Sequence, residues 1–101
     1  MSVSCPAPLA GLRIVDLTTG LAGPYCSKLL VDAGAEVIKV EPPGGDPMRR
    51  WSAFGGPIPG GRDSAFFAFL NAGKQSLVAD LSTGPGRRRL LGLLEAADVL
   101  L

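Results

Sequence analysis

The 101-residue sequence contains no histidine and only two cysteines, Cys5 and Cys26. Without histidine, neither a cysteine–histidine zinc site nor a nucleophile–histidine pair is expected. Small secreted domains carry many more cysteines, and the leading residues MSVSCPAP have neither the basic start nor the apolar stretch of a secretory signal. We therefore expect a reduced, cytoplasmic protein that uses no metal.

The sequence also lacks an excess of charge and long hydrophobic runs. Ten basic and nine acidic residues give a formal net charge of +1, so no nucleic acid or anionic membrane is expected as a partner. The longest apolar runs are a few residues, whereas a transmembrane helix needs about 20. No membrane-spanning segment is predicted, and any anion site must be local.

What the sequence does contain is an alternation of strand and helix patterns. Residues 13–17 (RIVDL) and 36–41 (EVIKVE) are short aliphatic segments that predict two strands. Between them, the apolar spacing from Ala22 to Ala33 predicts a helix that Gly34 ends. Strands joined by a crossover helix are normally parallel, so we expect an α/β fold with one small core.

The second half continues this alternation. Residues 64–70 fit either a short helix or an apolar segment on the core, and residues 75–80 predict a third strand. Pro85 marks the start of another helix, whose buried face is predicted to comprise Leu90, Leu91, Leu94 and Ala97. Residues 98–101 begin a fourth strand with nothing after it to cover the sheet. We therefore interpret residues 1–101 as the amino-terminal part of a longer enzyme.

A long loop separates the two halves. About half of residues 42–62 are proline or glycine, and no helical or strand periodicity is present. Loops longer than about 12–15 residues are uncommon in compact domains unless they bind something, cover a site or are disordered. Binding is thus one of three explanations.

Two glycines follow the first strand, in residues 18–24 (TTGLAGP). Ligands of open parallel sheets bind outside the carboxyl ends of the strands, where N–H groups at helix starts meet anions. The glycines either admit a ligand or serve a tight connection. A dinucleotide site with Glu41 as the ribose-binding acid is an alternative. Its G-x-G-x-x-G fingerprint is incomplete, since the turn offers only Gly20 and Gly23.

Basic residues with aromatic neighbours are candidates for nucleotide binding. The long loop carries such a group: Arg49, Arg50, Trp51 and Phe54. Guanidinium groups pair with phosphates, and rings pack on adenine or acyl groups. Lys74 could add a point charge. Solvated charges and a loop-anchoring tryptophan are the alternative, and the three arginines at residues 87–89 are expected to face solvent.

Three stretches together resemble the opening of the family III (CaiB/BaiF) CoA transferases. They are PLAGLRIVDLTTGLAGPYCSKLLVDAGAEVIKVEPPGGDPMRRW, FFAFLNAGKQSLVADL and GRRRLLGLLEAADVLL. The resemblance implies a Rossmann-like parallel sheet with flanking helices, in a longer chain that forms an interlocked homodimer. Members move CoA from an acyl-CoA to a carboxylic acid through a mixed anhydride on an aspartate, and a racemase branch epimerises α-methylacyl-CoA thioesters.

The resemblance places the catalytic aspartate beyond Leu101, so the chain alone is expected to be inactive. Asp16 and Asp98 are expected to have structural or exposed roles instead. Carried over residue by residue, the resemblance implies part of a coenzyme A site. Its members are Leu21, Ala22 and Gly23 near the thioester, and Arg49, Asn71 and Lys74 near the nucleotide.

The sequence departs from the family pattern at three positions. Pro42 stands where some members have a basic residue, and Gln75 stands where many have arginine, which implies lost phosphate contacts. Leu21 stands where some transferases have glutamine, which puts formyl-type specificity in doubt. An epimerase, a dinucleotide-binding module and a non-enzymatic interaction module remain alternatives to CoA transfer.

Overall fold

A computed structural model describes residues 7–56, 58, 60 and 62–101. Its described residues form one four-stranded sheet in the order β3-β2-β1-β4, and every pairing is parallel. The strands are β1 (Arg13–Asp16), β2 (Glu36–Glu41), β3 (Gln75–Val78) and β4 (Val99–Leu100). The predicted α/β fold with a parallel sheet and flanking helices is confirmed. Cys5 and residues 57, 59 and 61 of the predicted loop lie outside the described residues.

In the part of the chain that the structure describes, three α-helices connect the strands: α1 (Ala22–Asp32), α2 (Ala65–Asn71) and α3 (Gly84–Glu95). Local signals define their ends. Gly34 follows α1 with φ +106°, a conformation that favours glycine. The hydroxyls of Ser64 and Thr83 cap α2 and α3 by accepting from the backbone N–H groups of Phe67 and Gly86. None of the described helices combines the length and the apolar character needed to cross a membrane.

The sheet is covered on both faces. Ile14 and Val37 point to the face that carries α1, where Leu30 and Val31 pack against them. Val15 and Val40 point to the opposite face, where residues of α3 pack against them. This alternation along β1 and β2 follows from the two-residue period of a strand, and burial on both faces explains their aliphatic character.

Three expectations need correction or refinement. Leu91 is 60% exposed, and α3 instead packs through Leu90, Leu93, Leu94 and the following Ala97. These positions follow the i, i+3, i+4, i+7 spacing of one helix face, from which Leu91 is rotated by about 100° relative to Leu90. The long loop contains a short 3-10 helix, Pro47–Arg50, which Asp46 caps. Of the two alternatives for residues 64–70, the helix is the one observed: Ser64 caps α2, and the other six residues belong to it.

Candidate functional site

The loop between β1 and α1 folds closely over the carboxyl end of β1. Gly20 has φ +79°, and Gly23 lies so near Thr18 that an added Cβ would be 2.3 Å from the Thr18 Cβ. Both glycines are therefore required by the connection itself. Leu21 and Ala22 are exposed at the start of α1, and Gly23 is half-buried. The loop presents these three predicted site residues in sequence.

Asp16, the last residue of β1, fixes the conformation of this loop. Its fully buried carboxylate accepts hydrogen bonds from the Thr18 N–H (2.7 Å), the Thr18 hydroxyl (2.5 Å) and the Ser27 hydroxyl (2.5 Å). Burial opposes ionisation, but these hydrogen bonds and the nearby Lys74 ammonium outweigh it and hold the pKa of Asp16 below its usual value. In this structure the Asp16 carboxylate holds Thr18 and Ser27 in place.

The Lys74 side chain, from the turn before β3, also contacts Asp16 and the start of α1. Its ammonium donates to the Asn71 Oδ1 (2.8 Å) and to the Pro24 carbonyl (3.0 Å), and lies 3.4 Å from the Asp16 Oδ2. The side chain is only 1% exposed. Burial lowers the pKa of Lys74, against the opposing effect of Asp16. The Asn71 amide also donates to the Phe67 carbonyl (3.1 Å), which fixes its orientation.

Glu41 is the centre of a second polar cluster, at the carboxyl end of β2. Its buried carboxylate accepts two hydrogen bonds from Arg49, from Nε at 2.7 Å and from Nη2 at 2.6 Å. The Asp46 N–H and the Ser76 hydroxyl donate to it as well. The bidentate pairing with Arg49 is the main reason that the pKa of Glu41 falls to about 2, and it raises the pKa of Arg49.

The same cluster ties down both ends of the long loop. Arg49 Nη1 donates to the Asp63 Oδ2 (2.8 Å), and the Ser64 N–H donates to the Arg49 carbonyl (2.8 Å). At the other end, the Lys39 ammonium lies 3.0 Å from the Asp46 Oδ2, although the geometry makes no hydrogen bond between them. Lys39 donates instead to the Thr18 carbonyl (2.9 Å). The chain entering and leaving the loop is thereby held against β2.

A cleft of about 220 Å³ lies between these two polar clusters. Three of the predicted site residues, Arg49, Asn71 and Lys74, line it together. Leu21, Ala22 and Gly23 are not among its lining residues, but they are joined to it through the bond from Lys74 to the adjacent Pro24 carbonyl. Gln75, one of the three departures from the family pattern, also faces this cleft. The structure thus brings together two predicted segments that are about 50 residues apart in sequence.

The aromatic residues of the long loop lie outside this cleft. Trp51 packs against Phe66, with ring centroids 5.4 Å apart, and is 47% exposed. Phe54 is 98% exposed. Trp51 therefore anchors the loop to α2, which is the alternative to packing on a nucleotide that the sequence left open.

Sequence reasoning missed the importance of Glu41 and Lys39. In the sequence analysis Glu41 enters only as the acid of the dinucleotide alternative, yet it is 2% exposed and its carboxylate accepts from four donor groups. A signal for this was present in the strand period, because Val37, Lys39 and Glu41 point to the same face of β2. Opposite charges on a face covered by helices indicate buried ion pairs, since unpaired buried charges are costly.

Comparison with known proteins identifies the family. Residues 9–101 match the family described as CoA-transferase family III. The chain is 47% identical over 95 residues to a succinyl-CoA:mesaconate CoA-transferase of Haloarcula hispanica, covering 91% of the chain and 23% of that relative. It is 42% identical over 100 residues to a succinate–glutarate CoA-transferase of Agrobacterium fabrum, covering 93% of the chain and 24% of that relative.

Solved structures agree with the sequence matches. A CaiB/BaiF family protein from Brucella suis superposes with a TM-score of 0.83 at 44% identity, over 93% of this chain and 25% of that one. A hypothetical protein from Mycobacterium tuberculosis gives a TM-score of 0.81 at 39% identity, over 94% and 25%. The chain spans about a quarter of the length of these relatives. Because the family match continues from residue 9 to the last residue, the chain belongs to CoA-transferase family III.

Proposed function

We propose that the complete gene product transfers CoA from an acyl-CoA thioester to a carboxylic acid. The observation that carries this proposal is the family match over residues 9–101. Relatives that the chain resembles are named for CoA transfer involving acids such as succinate, mesaconate and glutarate. The cleft supports it because one wall contains Glu41 at the carboxyl end of β2, the side on which open parallel sheets bind their ligands; the opposite wall is formed by the first residues of β3.

The chemistry is nucleophilic. A carboxylate attacks the thioester carbonyl, the C–S bond breaks, and CoA leaves as a thiolate while a mixed anhydride forms on the enzyme. The aspartate expected to do this belongs to the part of the protein beyond Leu101. The thiolate then attacks the aspartyl carbonyl of the anhydride, which releases the donor acid and leaves CoA as a thioester on the enzyme. The acceptor carboxylate attacks this thioester to form a second anhydride and free the thiolate, and the thiolate takes the acceptor acyl group and regenerates the aspartate. The acyl-CoA and the acceptor acid are the expected partners, in a homodimer of the complete protein.

The residues of this chain would bind the acyl-CoA rather than react with it. Ala22 and Gly23 are the first residues of α1, so their N–H groups have no partner inside the helix. Such groups and the positive end of the helix dipole favour negative charge, which develops on the thioester oxygen and on the departing sulfur. Leu21, 53% exposed beside them, would contact the acyl portion.

Arg49, Asn71 and Lys74 would form the wall near the nucleotide. The bonds from Arg49 to Glu41 and Asp63 use its Nε and one N–H on each terminal nitrogen. Within the described residues this leaves one N–H on each terminal nitrogen for an anion, and the side chain is 26% exposed. Arg49 is therefore the residue of the three best suited to contact a CoA phosphate directly.

The decisive experiment incubates the complete gene product with succinyl-CoA and a panel of dicarboxylic acids, and follows the CoA esters by mass spectrometry. Formation of a new CoA ester at the expense of succinyl-CoA is expected. Arg49→Gln should raise the KM for acyl-CoA about tenfold or more, as expected for loss of a charged contact. Exchange of the α-proton of a 2-methylacyl-CoA in D₂O, with no movement of CoA, would favour the epimerase instead.

A further inference from the structure

Lys74 borders the cleft but is enclosed by protein. Its side chain is 1% exposed, and its ammonium has an acceptor in each of three elements. These are Asp16 Oδ2 at the end of β1, the Pro24 carbonyl in the first turn of α1, and Asn71 Oδ1 at the end of α2. An ammonium group has three N–H donors. All three are therefore directed at protein atoms.

This arrangement is poorly suited to direct phosphate binding. To reach a ligand, the ammonium would have to release at least one of these acceptors. If the released acceptor were Asp16, the most distant of the three, this carboxylate would lose its only nearby cationic partner among the described residues while remaining fully buried. If it were Pro24 or Asn71, a contact that holds the loop or α2 would be lost. Arg49 differs, because its guanidinium is partly exposed and keeps N–H groups that the described residues do not use.

We propose, on the basis of the proposed function, that Lys74 is a positioning residue that fixes the β1–α1 loop relative to Asn71, and not a phosphate ligand. The Pro24 carbonyl that it binds immediately follows Gly23, so Lys74 holds the thioester end of the loop. Asp16, its second partner, holds Thr18 at the other end of the loop. Gly23 packs directly against the Thr18 side chain, so the two ends of the loop contact each other.

The consequence is a coupling between two parts of the acyl-CoA site. Lys74 binds both Pro24, which directly follows the loop residues Leu21, Ala22 and Gly23, and Asn71. Loss of Lys74 would displace the loop whichever phosphates the ligand carries. Loss of a phosphate ligand, in contrast, would matter only for thioesters that carry that phosphate.

Truncated substrates separate these two roles. We would measure kcat/KM of the complete gene product and of Lys74→Met with three thioesters of the same acid: the CoA, 3′-dephospho-CoA and pantetheine esters. A positioning role predicts a loss of about tenfold to hundredfold that is similar for all three, as is typical of a small misplacement of reacting groups. A loss at least about tenfold larger for the CoA ester than for the pantetheine ester, or no loss at all, would overturn the proposal.

A conservative variant provides an independent test. Lys74→Arg keeps the charge but brings a larger, planar group into a fully enclosed space. A phosphate role predicts that arginine largely restores activity, whereas a positioning role predicts that it does not. Lys28→Met is the matched control, because Lys28 is a nearby, mostly buried lysine paired with Asp32 on α1, and it should react like the wild type.

Two further outcomes have defined meanings. If Lys74→Met does not fold, Asp16→Asn combined with Lys74→Met removes both buried charges, and the same uniform loss is expected because the bond to Pro24 is still absent. A wild-type protein that transfers no CoA from any thioester would refute the proposed function and this inference together. A phosphate-selective loss in an active enzyme would refute the inference alone.

Discussion

Glu41 is the residue whose protonation state matters most for the loop. Its pKa falls from an ordinary 4.5 to about 2, chiefly because Arg49 hydrogen-bonds the ionised carboxylate. A carboxyl group with a lower pKa in the folded state stabilises the protein above its unfolded pKa, and that stabilisation disappears as the pH falls through the folded pKa. The shift corresponds to roughly 3 kcal/mol at most, lost between about pH 5 and pH 2.

We predict that acid releases the start of the long loop before it unfolds the sheet. The Asp46 N–H donates to Glu41 at 2.8 Å, so its hydrogen-exchange protection should fall as the pH decreases from about 5 toward 2. Protection factors from exchange mass spectrometry of the complete gene product would measure this. Glu41→Gln should be less protected at neutral pH and nearly insensitive to acid. Equal acid responses in the two proteins would contradict the assignment.

At the scale of elements, the sequence predicts positions better than it predicts faces. The bounds of β2 agree with the prediction, because an aliphatic run closed by two prolines leaves little choice. The buried face of α3 was partly wrong, since four leucines among residues 90–94 allow more than one stripe. Packing of Leu93 against Val15 and Val40 decides between them, and that contact is a tertiary property that local spacing does not contain.

The contact between Gly23 in α1 and Thr18 in the loop before it yields a prediction that compares two helical glycines. Gly23→Ala should destabilise the protein by about 1–3 kcal/mol, because the new Cβ would lie 2.3 Å from the Thr18 Cβ, which the backbone holds in place. It should also lower activity, since Gly23 belongs to the proposed site. Gly92→Ala is the control: beyond its chain neighbours and the nearby backbone of its own helix, no atom lies within 4 Å of the added Cβ, and a gain of about 0.5–1 kcal/mol is expected in a helix interior. Urea unfolding would measure both, and equal effects would argue against the close packing of the loop.

At the scale of the whole molecule, the candidate site is a product of topology. Asp16 and Lys74 are 58 residues apart in sequence. They meet because β1 and β3 flank β2 in a register that places the end of β1 and the start of β3 level with the middle of β2. The sequence patterns predict the strands, and the family resemblance supplies Arg49, Asn71 and Lys74 as candidates. Neither source indicates that Lys74 would be enclosed or that Arg49 would pair with Glu41, because both depend on the distance between elements after folding.

The environment of Glu41 favours coenzyme A over a dinucleotide as the proposed ligand. A ribose-binding acid at the end of β2 must present free oxygens, but those of Glu41 are buried and accept from Arg49, Asp46 and Ser76. We therefore predict that CoA, and not NAD or NADP, raises the melting temperature of the complete gene product. A ligand at about 100 times its Kd adds about 2.7 kcal/mol of stability, which differential scanning fluorimetry detects readily. Glu41→Gln separates the two hypotheses further. It would abolish dinucleotide binding if that binding depends on the Glu41 carboxylate. It would weaken CoA binding only indirectly, because Arg49 would lose its ionised partner and hold the long loop less firmly. Stabilisation by NAD with no response to CoA would reverse the assignment of the ligand.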